Sequence, residues 1–307
     1  MEVKLKRLNI ELTSNCNYAC ISCPTDKLIR GKGMIDSKLF ERILDETGNS
    51  LERIFLWGYG DPLLHPEIDK LVRYAGNFQA KKIMSTTGYM LENMGDVESL
   101  RHLDELILSI NGITQETYVK HQVNGNLEKV IRGIKKLVPV ITNSKTRLIM
   151  QTIAHKENLN ELSGAEDFAR DLGCDMLIIK SFNVMDKKQE TFDKFVPADS
   201  SFSRYKHGLN ESPKYSENKT YPCQEWMVIN WDGSVNPCCW DYNGKHNWGN
   251  IKAEGVYKIW NGETASTHRN NIRTQKFLDI CVDCTNNKLI KSYSFTNKAG
   301  EDVKKNI

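Results

Sequence analysis

The sequence predicts an α/β protein with a parallel sheet, followed by a small cysteine-rich region. Across residues 5–181, short β-like runs alternate with segments whose apolar residues recur at helical spacing. This alternation is typical of βαβ units with parallel strands. Five of the nine cysteines lie in residues 223–284, and 307 residues are enough for one large domain and one small domain.

Six strands and four helices are predicted in the first 181 residues. The predicted strands are Leu5–Leu12, Arg53–Trp57, Lys82–Thr86, Glu105–Ile110, Arg147–Ile153 and Met176–Ser181. The predicted helices are Lys38–Glu46, Pro66–Tyr74, Asn126–Leu137 and Glu161–Leu172. Residues 182–222 are polar and irregular, which predicts a linker, and residues 285–307 are predicted to form a polar tail. Ligands of parallel sheets bind at the carboxyl ends of the strands, so motifs there are candidate site residues.

Charge and hydropathy argue against several classes of protein. The formal net charge of +3 is too small to indicate nucleic-acid binding. The chain has no run of 18 apolar residues and no apolar N-terminal signal segment, so no membrane association is expected. Nine cysteines without a secretion signal indicate the reducing cytoplasm, with metal ligation favoured over disulfides.

Three cysteines follow the first predicted strand in a C-x3-C-x2-C run formed by Cys16, Cys20 and Cys23. Three thiolates in so short a segment make a soft-ligand metal site. A [4Fe–4S] cluster normally takes four cysteine ligands, so three would leave one iron open to another molecule. A zinc site and three unrelated cysteines are the alternatives, although zinc sites favour paired C-x2-C knuckles.

This cysteine spacing resembles the signature of the radical S-adenosylmethionine (radical SAM) superfamily. The resemblance implies that residues 1–181 form a partial (β/α)6 barrel that binds SAM on the open iron. It also implies reductive cleavage of SAM to a 5′-deoxyadenosyl radical, which takes a hydrogen atom from a substrate. The cluster would carry this chemistry, and a flavodoxin- or ferredoxin-type protein would supply the electron.

Further segments at predicted strand ends resemble the SAM-binding motifs of that family. Gly60-Asp61-Pro62 resembles the family's Gly-Glu-Pro, Thr86-Thr87-Gly88 its T-N-G segment, and Ser109–Gly112 its S-[ILV]-D-G segment with Asn in place of Asp. Each segment alone is equally well explained as a turn. Ser22 stands where the family usually has an aromatic residue that packs on adenine. The SAM-binding residues predicted are Tyr18, Gly60, Asp61, Pro62, Thr86, Ser109, Asn111 and Gln151.

A second cysteine set resembles the SPASM/Twitch domains that follow the core in some radical SAM enzymes. Its layout is C-x9-G-x4-C, then C-x2-C, within residues 223–284. No cysteine follows Cys284, so the match is to the shorter Twitch form with one auxiliary [4Fe–4S] cluster. A structural zinc site is the alternative. The predicted ligands are Cys223, Cys238, Cys281 and Cys284, although the adjacent Cys239 leaves the choice between it and Cys238 open.

Oxidation of the substrate is the reaction we expect, with the auxiliary cluster accepting the second electron. Epimerisation is the alternative, in which the Cys239 thiol donates a hydrogen atom to the substrate radical. Lys180, at the rim of the sixth strand, is a candidate catalytic base or substrate contact.

A small polar substrate, such as a sugar or an aminocyclitol, is favoured because the cysteine motif begins at residue 16 and leaves no room for an N-terminal peptide-binding domain. A peptide substrate remains an alternative. A non-catalytic iron–sulfur or zinc protein is a third hypothesis. It is disfavoured because such a protein would not need the Gly60-Asp61-Pro62 and Ser109–Gly112 segments.

Overall fold

The computed structural model describes residues 3–205, 208–210, 222–281, 284 and 289–294. The strands are β1 (Arg7–Ile10), β2 (Ala19–Cys20), β3 (Arg53–Leu56), β4 (Lys81–Thr86), β5 (Glu105–Ser109), β6 (Gln122–Val123), β7 (Arg147–Ala154), β8 (Met176–Ser181), β9 (Trp226–Ile229), β10 (Ser234–Asn236), β11 (Gly249–Asn250) and β12 (Leu289–Ser294). The helices are α1 (Ser37–Thr47), α2 (Ile68–Ala75), α3 (Gln115–His121), α4 (Leu127–Ile141), α5 (Ala165–Asp171), α6 (Gln189–Phe195), α7 (Val256–Asn261) and α8 (Glu263–Arg273).

The chain divides into two compact units. The first unit contains Met1–Cys16, Pro24–Met84 and Ser212–Cys284. The second unit contains Asn17–Cys23, Ser85–Glu211 and Thr285–Ile307. The cysteine-rich C-terminal region therefore shares a unit with the first βα elements of the chain.

The sheet of the first unit has the strand order β11-β10-β9-β1-β3-β4. Strand β1 pairs in parallel with β3 on one side and with β9 on the other. Its side chains Leu8 and Ile10 are fully buried. Strands β9 and β10 form an antiparallel hairpin around the turn at Gly233. Gly233 has φ +86°, a left-handed conformation that favours glycine.

In the second unit, β5, β7 and β8 are neighbouring parallel strands. Strand β12 pairs antiparallel with β8, at the edge of these strands. A separate two-stranded ladder joins β2 to β6. The α/β class predicted from the sequence is confirmed. The six predicted strands correspond to β1, β3, β4, β5, β7 and β8, whereas the two-residue strands β2 and β6 were not predicted.

Local sequence signals explain where the helices begin. The Asp36 carboxylate accepts a hydrogen bond from the backbone N–H of Leu39 at 3.1 Å, which caps α1. The side chain of Asn126 caps α4 in the same way through Lys129 N–H at 2.9 Å. Helix α1 buries Leu39, Phe40, Ile43 and Leu44 on one face, and burying each such side chain contributes about 1.5–3 kcal/mol. Burial of this face holds the helix in the core of the first unit.

Two segments predicted to be irregular contain regular structure. The predicted linker at residues 182–222 includes α6 and a buried cluster of Phe182, Val184, Phe195, Val196 and Tyr205. These apolar residues are widely spaced among polar ones, so they show no helical period. The predicted tail at residues 285–307 includes β12. This strand forms through its antiparallel pairing with β8, which the polar composition of the segment does not indicate. Within the described residues, no helix is long and apolar enough to cross a membrane.

Candidate cofactor-binding site

The loop that leads to Cys16 packs on the Gly60-Asp61-Pro62 segment within the first unit. The backbone N–H of Asp61 donates to the carbonyl of Asn15 at 2.9 Å. A Cβ atom on Gly60 would lie 2.4 Å from the carbonyl oxygens of Asn15 and Thr13, so only glycine fits without a shift of the backbone. The Asp61 carboxylate is buried and caps the turn at Pro62–Leu64 through Leu63 N–H. This segment therefore sets the path of the chain into the first cysteine.

The buried carboxylate of Glu11, which was not predicted from the sequence, connects the segments that follow β1, β3 and β9 in the first unit. Glu11 follows β1 and is 1 % exposed. It accepts hydrogen bonds from the backbone N–H of Tyr59 at 3.0 Å and of Trp231 at 3.3 Å. Arg30 neutralises it through a 2.6 Å ion pair. A charged residue directly after a buried strand was the available signal, although the sequence alone does not supply its partners.

Cys20 and Cys23 lie in a tight loop of the second unit, with Cys23 N–H donating to the carbonyl of Cys20 at 3.0 Å. Cys20 is the register partner of Gln122 in the β2–β6 ladder. Tyr18 is buried, and its ring makes edge contacts with the rings of Tyr89 and Tyr118. The loop is therefore held by the segment that follows α3.

The predicted residues Ser109, Gln151 and Lys180 lie toward the carboxyl ends of β5, β7 and β8 in the second unit. Ser109 and Gln151 are direct register partners, and Lys180 pairs with Ile153 two residues further along β7. All three are partly accessible. Thr86 is buried, and its hydroxyl accepts from Gly88 N–H at 3.0 Å. Parallel strand ends of this kind are where ligands bind in α/β folds.

Asn111 is 3 % exposed, and its polar groups bond inside the second unit. Its backbone N–H donates to the Gln122 side chain at 2.8 Å, and Gln122 also donates to the carbonyl of Ser109 at 2.9 Å. Its carbonyl accepts from Asn158 at 2.9 Å. Gln122 therefore connects the Ser109–Gly112 segment to the strand that pairs with Cys20. No pattern in the sequence indicates this link.

The second cysteine set lies within the first unit, and several of its thiols are close enough to influence the pKa of Cys223. Burial raises the pKa of Cys223 to about 12, with further contributions from Cys238, Cys284 and Cys281. Burial also raises the pKa of Cys281 to about 11. Neighbouring, partly buried cysteine thiols fit the all-sulfur ligand set of an iron–sulfur cluster. Among the described residues, no three His, Cys, Asp or Glu side chains gather closely enough for a single metal ion.

The adjacent cysteines of this set have different contacts. A hydrogen bond between the Cys238 and Cys239 thiols, together with burial, raises the pKa of Cys238. The Tyr59 hydroxyl donates to the backbone carbonyl of Cys239. The Tyr59 and Tyr242 rings meet edge to face with centroids 5.8 Å apart. The Cys238–Tyr242 segment thus lies against the Trp57–Asp61 loop inside the first unit. None of the nine cysteines forms a disulfide.

Two family sequence models match the chain. The model described as the radical SAM superfamily matches residues 10–169. The model described as the SPASM iron–sulfur cluster-binding domain matches residues 223–285. The first match covers Cys16, Cys20 and Cys23, and the second covers the whole second cysteine set.

Curated relatives are similar to this chain at low identity. A "tungsten-containing aldehyde ferredoxin oxidoreductase cofactor-modifying protein" of Pyrococcus furiosus is 25% identical over 92% of this chain and 87% of its own length. A "probable GTP 3′,8-cyclase" of Methanocaldococcus jannaschii is 27% identical over 58% of this chain and 59% of its own length.

Solved structures share the fold. BtrN in complex with AdoMet and 2-DOIA aligns over 98% of both chains, with a TM-score of 0.55 and 16% identity. SuiB of Streptococcus suis bound to SAM aligns over 87% of this chain and 68% of its own, with a TM-score of 0.66 and 14% identity. The matched domains make SAM, the [4Fe–4S] cluster that binds it and an auxiliary iron–sulfur cluster the cofactors of this protein. The chain belongs to the radical SAM superfamily and carries a C-terminal SPASM domain.

Proposed function

We propose that this protein is a radical SAM dehydrogenase of a small polar molecule, such as a sugar or an aminocyclitol. Cys16, Cys20 and Cys23 are the proposed ligands of the SAM-binding cluster. When bound, that cluster supplies the electron that cleaves SAM to methionine and the 5′-deoxyadenosyl radical. The radical would take a hydrogen atom from the substrate. A flavodoxin- or ferredoxin-type protein is the proposed electron donor.

The proposed SAM contacts are Tyr18, Gly60, Asp61, Pro62, Thr86, Ser109, Asn111 and Gln151. Their support differs from residue to residue. The backbone of Gly60 lies against the loop before Cys16. Glycine is needed for this close approach, because a side chain at position 60 would collide with the backbone of Asn15. Ser109 and Gln151 are adjacent and accessible at strand ends, where polar side chains can bind the ribose or the methionine end of SAM. Asn111 contributes through the network that holds the Ser109–Gly112 segment.

The second cysteine set is the observation that supports oxidation. Cys223, Cys238, Cys281 and Cys284 are partly buried, and neighbouring thiols of this set help to raise the pKa of Cys223 and of Cys281. When bound by four protein ligands, the auxiliary cluster has no open iron, so it supplies an electron acceptor rather than a substrate-binding site. A substrate radical that loses one electron and one proton becomes a product two hydrogens lighter. A dehydrogenase therefore uses both cysteine sets.

A small substrate is supported by the relatives that cover most of the chain. The Pyrococcus furiosus relative is named for modifying a cofactor. BtrN was solved with the ligand 2-DOIA, and its alignment with this protein covers 98% of both chains. SuiB was also solved with its precursor peptide SuiA, and anSMEcpe with the peptide Kp18Cys, with 67% and 82% of those chains covered. These two structures make a peptide the second candidate substrate.

Epimerisation by Cys239 is the second candidate reaction. The Tyr59 hydroxyl fixes the Cys239 backbone, and the residue is partly accessible. A thiol placed in this way can return a hydrogen atom to a substrate radical. Its hydrogen bond to Cys238 instead supports a role beside the auxiliary cluster, so oxidation is the first choice.

The decisive experiment incubates anaerobically reconstituted protein with SAM, dithionite and a panel of sugars and aminocyclitols. The proposal expects 5′-deoxyadenosine together with a product two hydrogens lighter than its substrate. A mass-neutral product that carries solvent deuterium would assign epimerisation instead. Reconstituted protein that holds iron but forms no 5′-deoxyadenosine would contradict both reactions.

A further inference from the structure

A hydrogen bond between Ser22 and His121 joins the cysteine loop to the end of α3. Ser22 lies between Cys20 and Cys23, and its Oγ is 2.9 Å from His121 Nε2. The neighbouring Ile21 N–H donates to the carbonyl of His121 at 3.1 Å. Cys20 pairs with Gln122 in the β2–β6 ladder. Three successive residues of the loop are therefore fastened to the His121–Gln122 segment, and only the Ser22 contact uses side chains.

Asn111 determines which nitrogen of His121 carries the hydrogen. The Asn111 side-chain oxygen accepts from the backbone N–H of Ile153 at 2.9 Å, which orients the amide. Its nitrogen therefore faces His121 Nδ1, 2.9 Å away. An amide nitrogen can only donate, so His121 Nδ1 must accept and is unprotonated. In the neutral ring, Nε2 then carries the hydrogen and donates it to Ser22 Oγ.

Burial keeps His121 neutral. Its side chain is 2 % exposed, and its ring stacks on His155 with centroids 5.4 Å apart. Burial, with a smaller contribution from His155, lowers the pKa of His121 to about 3. Among the described residues, its bonding and ring-packing partners are Ile21, Ser22, Asn111, His155 and Phe182, and none of these is a carboxylate. The ring therefore has a single hydrogen near neutral pH.

We propose that Asn111 and His121 position Ser22 as a hydrogen-bond donor to the cofactor held by the cysteine loop. Ser22 Oγ has one hydrogen and two lone pairs. Because Nε2–H occupies a lone pair, the hydroxyl hydrogen is directed elsewhere. The acceptor is an electron-rich atom of the bound cofactor, either a cluster or thiolate sulfur or an atom of SAM. The inference rests on the proposed role of Cys20 and Cys23 as cluster ligands, and it makes His121 a positioning residue.

Asn111→Asp tests the direction of this chain of hydrogen bonds with little change in shape. One carboxylate oxygen still accepts from Ile153, but the other now faces Nδ1 and requires a hydrogen there. His121 then becomes protonated on Nδ1, Nε2 becomes an acceptor, and Ser22 donates to His121 instead of to the cofactor. Ser22→Ala removes the hydroxyl altogether. Asn93→Asp, at an exposed position of the same unit, adds the same charge outside the network.

The first measurement is the ¹⁵N spectrum of the full-length protein labelled on histidine, which separates protonated from unprotonated ring nitrogens. We expect an unprotonated Nδ1 at His121 in the native protein and in Asn93→Asp, and a protonated Nδ1 in Asn111→Asp. A protonated Nδ1 in the native protein would overturn the proposal. This measurement does not depend on SAM cleavage, so it distinguishes a failure of the proposal from a failure of the proposed function.

The second measurement uses the reconstituted enzyme, in which each variant is checked for iron content and then studied by EPR redox titration and SAM binding. If the acceptor is a sulfur, Ser22→Ala and Asn111→Asp should both lower the midpoint potential of the SAM-binding cluster without SAM present. If the acceptor belongs to SAM, both should weaken SAM binding about tenfold at unchanged potential, which corresponds to about 1.4 kcal/mol. An effect of Asn111→Asp without one of Ser22→Ala, or no effect of Ser22→Ala on either quantity, would overturn the proposal.

Discussion

Gly60 lies directly against the backbone of Asn15, the residue that precedes the first cysteine. A Cβ atom on Gly60 would meet the carbonyl oxygen of Asn15 at 2.4 Å and its nitrogen at 2.7 Å. Both atoms belong to the backbone, so the collision is relieved only by moving the loop that carries Cys16. The glycine of this segment therefore acts through the position of the cysteine motif.

Gly60→Ala should impair loading of the SAM-binding cluster. Two four-iron clusters give about eight irons per chain, so the variant should retain about four. Iron and sulfide analysis after anaerobic reconstitution measures this. Gly95→Ala is the matched control, because a Cβ atom there meets nothing within 4 Å. Full iron loading of Gly60→Ala would show that the loop tolerates the displacement.

Removal of all three motif cysteines should separate the two metal centres. The triple Ala variant of Cys16, Cys20 and Cys23 should form no 5′-deoxyadenosine and keep about four irons, because the second cysteine set remains. Normal SAM cleavage in this variant would contradict the proposed ligands. One zinc ion in place of the remaining irons would contradict the auxiliary cluster and make the C-terminal domain structural instead.

Variants of the second set should distinguish oxidation from epimerisation. Cys281→Ala should still cleave SAM but stop turnover after hydrogen abstraction, because the electron acceptor is lost. Cys239→Ala should leave a dehydrogenase nearly unchanged, whereas it should abolish the product of an epimerase. Product mass and solvent deuterium content are the measurements. Cys174→Ala, at a buried cysteine outside both sets, is the control.

Glu11→Gln should destabilise the protein. The carboxylate is 1 % exposed and its partner Arg30 only 7 % at the side chain, so the change leaves a buried guanidinium without its counter-charge. Breaking a buried ion pair from one side costs about 3–5 kcal/mol. Urea unfolding of the holoprotein measures the change. Glu98→Gln removes the exposed pair with Arg101 and should cost less than about 1 kcal/mol. Equal losses in the two variants would contradict the assignment.

Stability should fall as the pH decreases below about 6.5. Burial lowers the pKa of His121 to about 3 and that of His155 to about 4. Above pH 6.5 both rings are neutral in the folded and unfolded states, so no stability is lost. Below it, the unfolded chain binds protons that the folded protein does not, and each ring costs about 1.4 kcal/mol per pH unit.

The loss from His155 should end near its folded pKa of about 4. His155→Gln keeps an N–H group for the carbonyl of Asn111 but cannot be protonated. Urea unfolding at a series of pH values gives the unfolding free energy as a function of pH. Between pH 6.5 and 4, the slope of this curve should be smaller in the variant by the equivalent of one proton, about 1.4 kcal/mol per pH unit. Identical slopes in the variant and the native protein would show that His155 does not titrate in this way.

The sequence predicted the βα elements well because their signals are local. Strand β8 was predicted with its observed bounds, and Asn126 marked the start of α4 as its capping residue. Helices α3 and α6 were missed because each is one or two turns long and largely polar. The parallel pairing of β9 with β1 could not be predicted, because it joins residues more than two hundred positions apart.

The cysteine motifs were visible in the sequence because metal ligands follow fixed spacings. Glu11 and His121 were not, since each gains its role from distant partners. Glu11 bonds to Tyr59, Arg30 and Trp231, and His121 bonds to Ser22 across 99 positions. A lone buried histidine has no sequence pattern that distinguishes it from a surface one.

The pairing of β9 with β1 has a consequence for how the chain folds as it is synthesised. Strand β1 is synthesised near the start of the chain. Its hydrogen-bonding edge toward β9 has no partner until residues 226–229 have left the ribosome. An unpaired apolar edge invites aggregation, so the nascent chain is exposed to it for most of its synthesis. A protein cut before Cys223 would keep that open edge permanently. The two matched family domains are thus separate in sequence but not independent as folding units.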